Sequence, residues 1–396
     1  MNPKRIAPLF SVIGLEITYI CLQFLQKYDK TPMPSENNMK LCLVAISLGK
    51  GGAERSTALL SQMLDMKGYE VHIVILNDLV AYEYSGKLFN LGKFKDNQDM
   101  LLKRLARFRK LRNYLISQNF DFIIDNRTRS STAKELYYLK YIYKGFKQIY
   151  VIRSANLAHY LPGNNRVAKK LIDTSYRVVT VSKHIAKEVN NIYKTDKAIA
   201  IYNPVISFET KEITRFDEDY ILFMGRLEEK VKNLSLLMKG YKDSKLPENN
   251  FRLKILGSGE DEDFLKQLAE EMGISNTVDF IPFTADVYPY LKQAHFTVLT
   301  SKYEGFPRAL VESLSVGTPV VSVDCVSGPN EIIVDGENGL LIENNNSSKL
   351  AEAMNRMVLD EKLYATFKRN SIQSVAHLSL ENIAEEWDKI LRNEAN

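Results

Sequence analysis

Short apolar runs recur along the chain, each followed by a turn and then by a stretch with helical spacing. Leu41 to Ile46, Val71 to Leu76, Phe122 to Asp125, Ile149 to Ile152 and Arg177 to Val181 read as buried strands in the first half. Tyr220 to Met224, Leu253 to Leu256 and Phe296 to Leu299 do so in the second. Between the first two runs, Ala53 to Met66 carries Leu59, Leu60, Met63 and Leu64 at helical spacing. Strands that are apolar throughout are those covered on both faces, so the pattern predicts an α/β fold built on parallel sheets. At 396 residues the chain is long enough for two such domains.

Several turns carry candidate chemistry. Gly49-Lys50-Gly51-Gly52 follows the first strand but lacks the G-x-G-x-x-G spacing of dinucleotide sites. Its glycines either admit a ligand close to the backbone or make only a tight turn. Asn126, Arg127 and Arg129 stand at one strand's carboxyl end, and Arg153, Ser154 and Asn156 at another's. Ligands of open α/β sheets bind at such ends. The richest stretch is Thr300 to Glu312, where a Glu304-Gly305-Phe306-Pro307 loop leads into a helix-forming run from Arg308. Free N–H groups at that helix start would attract an anion. The flanking carboxylates of Glu304 and Glu312 would repel phosphate and suit hydroxyl groups instead. Phosphate and polyol recognition side by side describes a site for a sugar nucleotide.

Composition narrows the picture little. Apolar content of 45% and charged content of 26% are ordinary for a globular protein. A net charge of +5 is compatible with phosphate substrates or an anionic membrane surface and is too weak to argue for nucleic acid. Cys21, Cys42 and Cys325 are few and scattered, which suggests neither a disulfide framework nor a metal cluster and fits a reducing cytoplasm. Leu9 to Leu25 is interrupted by Glu16, whose insertion would cost about 2.5–3.5 kcal/mol at mid-span. A weak signal anchor, an extra amphipathic helix and upstream sequence all remain open for residues 1–38. Leu101 to Leu115 has an apolar stripe (Leu101, Leu105, Phe108, Leu111, Leu115) and a rim of Lys103, Arg104, Arg107, Arg109, Lys110 and Arg112. Such a helix either packs on the sheet with a solvated outer face or also touches lipid phosphate, peripherally on the inner face of the cytoplasmic membrane.

Glu304 and Glu312, with seven residues between them in the wording E-G-F-P-R-A-L-V-E, resemble the paired-glutamate motif of glycosyltransferase family 4. Gly317-Thr318-Pro319, Ser327-Gly328-Pro329-Asn330-Glu331 and Asn338-Gly339-Leu340 extend the likeness, which covers the chain from about Met39. The resemblance implies the GT-B architecture: two Rossmann-like domains with parallel sheets facing across a cleft. Residues 39–205 would form the acceptor-side domain and 206–379 the nucleotide-sugar domain, with a C-terminal helix from about Leu380 packing back on the first.

It further implies a retaining transfer from a nucleoside-diphosphate sugar, expected to be UDP-linked, with no metal or other cofactor. The acceptor would be a glycan or a lipid-diphosphate-linked glycan. Arg226 and Lys232, in the G-R-L…K-N wording, would clamp the diphosphate, and Glu304 would hold sugar hydroxyls. Gly225, Gly257, Pro282, Phe283, Gly305, Phe306, Pro307 and Glu312 would bind the rest of the donor, Glu312 at the ribose. Gly51, Gly52, Arg127 and Arg153 would face the acceptor. Many relatives carry a histidine near the sugar where this chain has Arg153. Glu331 sits where it could cap its own helix. Two other readings stand beside this one: a sugar-nucleotide epimerase or hydrolase of the same architecture, and an inactive sugar-binding subunit.

Overall fold

A computed structural model describes residues 39–49, 51–95, 101–205, 213 and 215–392. The segment 1–38 and its competing readings therefore lie outside the described residues. Among those described, no helix is long and apolar enough to cross a membrane.

Among the described residues, thirteen strands form two sheets. The first contains β1 (Lys40–Ala45), β2 (Glu70–Ile75), β3 (Lys87–Asn90), β4 (Phe122–Asp125), β5 (Lys147–Ile152), β6 (Arg177–Thr180) and β7 (Ala198–Ala200), in the order β3-β2-β1-β4-β5-β6-β7. The second contains β8 (Tyr220–Met224), β9 (Arg252–Leu256), β10 (Val278–Ile281), β11 (Thr297–Leu299), β12 (Val320–Asp324) and β13 (Gly339–Glu343), in the order β10-β9-β8-β11-β12-β13. Every pairing is parallel, for example Leu41 against Phe122 and Val298 against Val321. In each sheet the strand order reverses once, between β1 and β4 and between β8 and β11. Crevices open beyond the carboxyl ends at those reversals.

The strands are apolar because helices cover both faces. Leu43, Ile73, Ile124, Phe223, Ile255 and Val321 are fully buried. Each such side chain contributes about 1.5–3 kcal/mol by leaving water. The helix Gly52–Met66 buries Leu59, Leu60, Met63 and Leu64, the face its spacing predicts. The C-terminal helix Leu380–Leu391 lies against it. There Trp387 is buried, Glu385 pairs with Lys67, and the Tyr69 hydroxyl donates to Asp388 at 2.5 Å.

The basic helix Leu101–Gln118 divides lengthwise. Leu111 and Leu115 are fully buried, whereas Leu105 in its first half is exposed. Arg112 is turned inward and donates to the carbonyls of Ile142 and Lys144. The tyrosines between 137 and 150 are largely core: Tyr138, Tyr143 and Tyr150 are buried, and Tyr141 is exposed.

Candidate active site

Loops at the carboxyl ends of β8, β9, β10 and β11 meet in one place. Gly257 after β9 has φ +153°, and a Cβ there would stand 1.8 Å from the Gly225 carbonyl oxygen, so the two loops touch through bare backbone. Gly257 N donates to Ile281 O, and Phe283 N to Ser258 Oγ, which ties in the Pro282-Phe283 loop. Pro282 and Phe283 are exposed.

Lys232 ends a single helical turn, Glu229–Lys232, which Asn233 interrupts with φ 52°. The Thr300 hydroxyl donates to Lys232 O, and Lys302 N donates to Val231 O, so the end of β11 is stitched to this turn. The stitching brings Lys232 Nζ to 2.6 Å from Glu304 Oε1. Ser301 Oγ donates to the same oxygen at 2.6 Å. Arg226 stands beside Gly225, whose added Cβ would lie 3.7 Å from Lys232 Cε. The Arg226 side chain is two-thirds exposed, with the Glu228 carboxylate 3.7 Å away.

Gly305, Phe306 and Pro307 are buried between the domains, with Glu304 partly exposed at their start. A Cβ at Gly305 would stand 2.1 Å from the Arg153 carbonyl oxygen, and Ala155 N donates to Glu304 O across the cleft. Phe306 stacks on Tyr202 with centroids 4.8 Å apart. Pro307 precedes the helix Arg308–Ser315 as its N-cap. Inside that helix, Glu312 is almost fully buried and accepts from Arg308 at 3.0 Å. Arg55, from the Gly52–Met66 helix of the other domain, reaches the same carboxylate at 3.2 Å. Burial, helped by the Glu304 charge, pushes the Cys325 thiol up to about 12, so it stays protonated at neutral pH.

The first domain's side of the cleft is organised differently. Gly51 lies over Glu54, and Gly52 is exposed at the rim. Arg153 donates to Asn203 and Asn126. Arg127 does not face the cleft. Its guanidinium is fully buried against Asp125 at 2.7 Å and Glu135 at 3.0 Å, and over the Tyr138 ring. Arg129 is likewise buried, donating to the carbonyls of Asp125, Arg127, Val151 and Tyr160. Both arginines are therefore struts beneath the crevice, because Asp125 and Glu135 draw them inward.

Glu331 caps a helix, but not its own. Its carboxylate accepts from Lys183 N at 2.8 Å and His184 N at 3.0 Å, at the start of the first-domain helix Lys183–Tyr193, and from the Tyr202 hydroxyl at 2.9 Å. Ser327 adds a contact to Ser182 at 2.7 Å and donates to Gly305 O. Together with Arg55, these residues form a cross-domain clasp that sequence reasoning missed. Arg55 follows the Gly51-Gly52 turn three residues on, the one signal that could have flagged it. Among the described residues no group of histidine, cysteine and carboxylate side chains is arranged to hold a metal.

Comparison with known proteins agrees with this geometry. The model described as "Glycosyltransferase Family 4" matches residues 50–206, and that described as "Glycosyl transferases group 1" matches 207–374. The chain is similar to an N-acetylgalactosaminyltransferase of Campylobacter jejuni that acts on N-acetylgalactosamine-N,N'-diacetylbacillosaminyl-diphospho-undecaprenol. The two are 28% identical over 364 residues, 84% of this chain and 93% of that protein. An uncharacterized glycosyltransferase of Haemophilus influenzae is 29% identical over 232 residues, 57% of this chain and 65% of that one. Among solved structures, Anabaena HepE in complex with UDP-glucose superposes with a TM-score of 0.72 at 18% identity, covering 90% of this chain and all of that one. A TarM mutant from S. aureus, with UDP among its ligands, gives 0.72 at 14% identity over 89% of this chain. The chain is a glycosyltransferase belonging to family 4, its two parallel-sheet domains joined in the GT-B arrangement.

Proposed function

We propose that the protein transfers a hexose or N-acetylhexosamine, with retention, from a UDP-linked donor to a glycan carried on a lipid diphosphate. The observation that carries this reading is the Lys232–Glu304 pair, 2.6 Å apart in a cleft next to a buried Glu312. A cation beside the helix start Arg308–Ser315 suits a departing diphosphate, together with N–H groups around Gly305 and Phe306. Arg226, two-thirds exposed, adds a second cation when a diphosphate is present. Glu304 accepts from sugar hydroxyls and Glu312 from the ribose, exchanging the ion pairs they hold now. The acceptor hydroxyl attacks on the face from which the diphosphate leaves, and the leaving phosphate takes its proton. No step in this account requires a metal.

The Campylobacter relative supports an N-acetylhexosamine and a lipid-diphosphate acceptor, and HepE with UDP-glucose supports a UDP-linked donor. The exposed rim of Lys103, Arg104, Arg109 and Lys110 with Leu105 supports peripheral contact with an anionic membrane. Incubation with a panel of nucleotide sugars, with and without lipid-diphosphate glycans, tests the proposal. Transferred sugar with the donor's anomeric configuration is expected, unchanged by EDTA. Epimerised donor, free sugar or no turnover would point instead to the epimerase, hydrolase or inactive-subunit readings.

A further inference from the structure

Two partly buried guanidinium groups beside the Gly305 loop each hold a buried donor that the protein does not use. Arg153 leaves the end of β5 and donates from Nη1 to Asn203 Oδ1 and from Nη2 to Asn126 Oδ1, each at 2.9 Å. Both partners are neutral amides, and the buried Nε has none. Arg308 opens the helix that follows the loop. Its Nη2 donates to Glu312, and its buried Nη1 has no partner. The close approach of Gly305 to the Arg153 carbonyl sets the two residues on opposite sides of the boundary between the domains. Burial lowers the pKa of both, and for Arg153 burial together with the Arg308 charge brings it to about 10. Two like charges with orphaned donors are unfavourable as they stand, and an anion between them would relieve both defects.

We infer that Arg153 and Arg308 form a cross-domain clamp for the terminal phosphoryl group of a nucleoside diphosphate, a second pair of cations beside Arg226 and Lys232. The inference rests on the donor reading given above. A phosphoryl group fits better than a carboxylate. Its three terminal oxygens can accept from both sides of the boundary and from the first turn of the helix Arg308–Ser315 at once. Arg153 then occupies the place where many relatives have histidine and delivers a charge to the leaving group from the opposite domain.

Calorimetric binding of UDP, UMP and inorganic pyrophosphate to the full chain tests the clamp in wild type, Arg153→Gln and Arg308→Gln. Each substitution is expected to weaken UDP and pyrophosphate at least tenfold while changing UMP less than twofold, because UMP lacks the terminal phosphoryl group. Arg153→Lys should recover part of the loss. Arg153→Gln should melt no lower than wild type, since it removes a partly buried charge that lacks a counter-charge. A lower melting temperature with unchanged UDP binding would make Arg153 a structural residue and overturn the clamp. Equal losses for UMP and UDP would overturn the terminal phosphoryl assignment. A change confined to KM for a lipid-diphosphate acceptor would overturn the donor assignment. Wild type that binds pyrophosphate through these arginines but no nucleoside diphosphate would keep the clamp and defeat the donor reading.

Discussion

The two walls of the cleft are built on the same parallel-sheet plan and by opposite means. The second-domain wall is made of backbone and of short motifs after successive strands: Gly225 against Gly257, the Glu304–Pro307 loop, and Glu312 one turn further on. The first-domain wall is made of side chains from separate strand ends, and some of its most prominent cations never reach the surface. Arg127 and Arg129 lie under the crevice with Asp125, Glu135 and four main-chain carbonyls to satisfy them. Arg153 reaches only neutral amides. The difference teaches that an arginine at a strand's carboxyl end is defined by what else is buried there. A carboxylate nearby makes it a strut, and the lack of one leaves it available to a ligand.

The sharpest way to break this contrast is to remove the strut's counter-charge. Burial alone would raise the Asp125 pKa, but the charges of Arg127 and Arg129 outweigh it and hold the carboxyl below its usual range. Asp125→Asn leaves two buried guanidinium groups short of an anion, which should cost about 3–5 kcal/mol of stability by chemical denaturation. A depressed folded pKa gives stability that is present above the unfolded value near about 3.9 and is lost as pH falls through the folded one. The variant should therefore also show a flatter loss of stability below about pH 4. A variant as stable as wild type would remove the distinction between strut and tool.

On the opposite wall, Lys232→Ala and Glu304→Gln should each lower turnover by about 10²–10³-fold, the size expected for losing a preorganised electrostatic contact. Folding should survive, because the pair is partly exposed and its stability contribution is only about 0–1 kcal/mol. Unchanged turnover in both variants would take the pair out of the chemistry.

What sequence could and could not reveal follows from the same contrast. The second wall was legible because each of its parts carries a short motif of its own, G-R-L…K-N and E-G-F-P…E, next to mostly buried apolar strands. β3, β7, β10, β12 and β13 were not read as strands. Lys87-Leu-Phe-Asn is short and half-exposed, and β7 is only three residues long. Arg127 and Arg153 look alike in sequence, each following an apolar strand. Only the fold turns Arg127 back onto Asp125, two residues before it, and onto Glu135 in the next helix. Glu331 was read as a local cap because its real partner, Lys183 N, lies 148 residues away.

That long-range cap is where the two walls are joined, and Glu331→Ala probes the join. Loss of the cap on the helix Lys183–Tyr193 should cost about 0.5–2 kcal/mol. Turnover should fall by up to about 10²-fold, since a shift of about 1 Å between the walls misaligns the reacting groups. Glu331→Gln, which keeps one acceptor oxygen, should recover much of both. Solution scattering that shows the same domain separation in Glu331→Ala, with full turnover, would make the clasp irrelevant to catalysis.

The smallest expected effect separates the two domains by their outer faces. On the first domain, the helix Leu101–Gln118 presents Arg109 and Lys110 to solvent near the exposed Leu105, while Arg112 is already committed to carbonyls. A basic residue near an anionic bilayer contributes about 1 kcal/mol, roughly a fivefold change in partition. Arg109→Ala should therefore weaken sedimentation with phosphatidylglycerol vesicles about fivefold at low salt. Arg112→Ala should leave vesicle binding nearly unchanged and lower the melting temperature instead, because it strands two carbonyls. The Arg109 effect should fade above about 0.15 M salt, where the screening length falls to about 8 Å. Equal behaviour of the two variants would mean that this face of the first domain does not meet lipid.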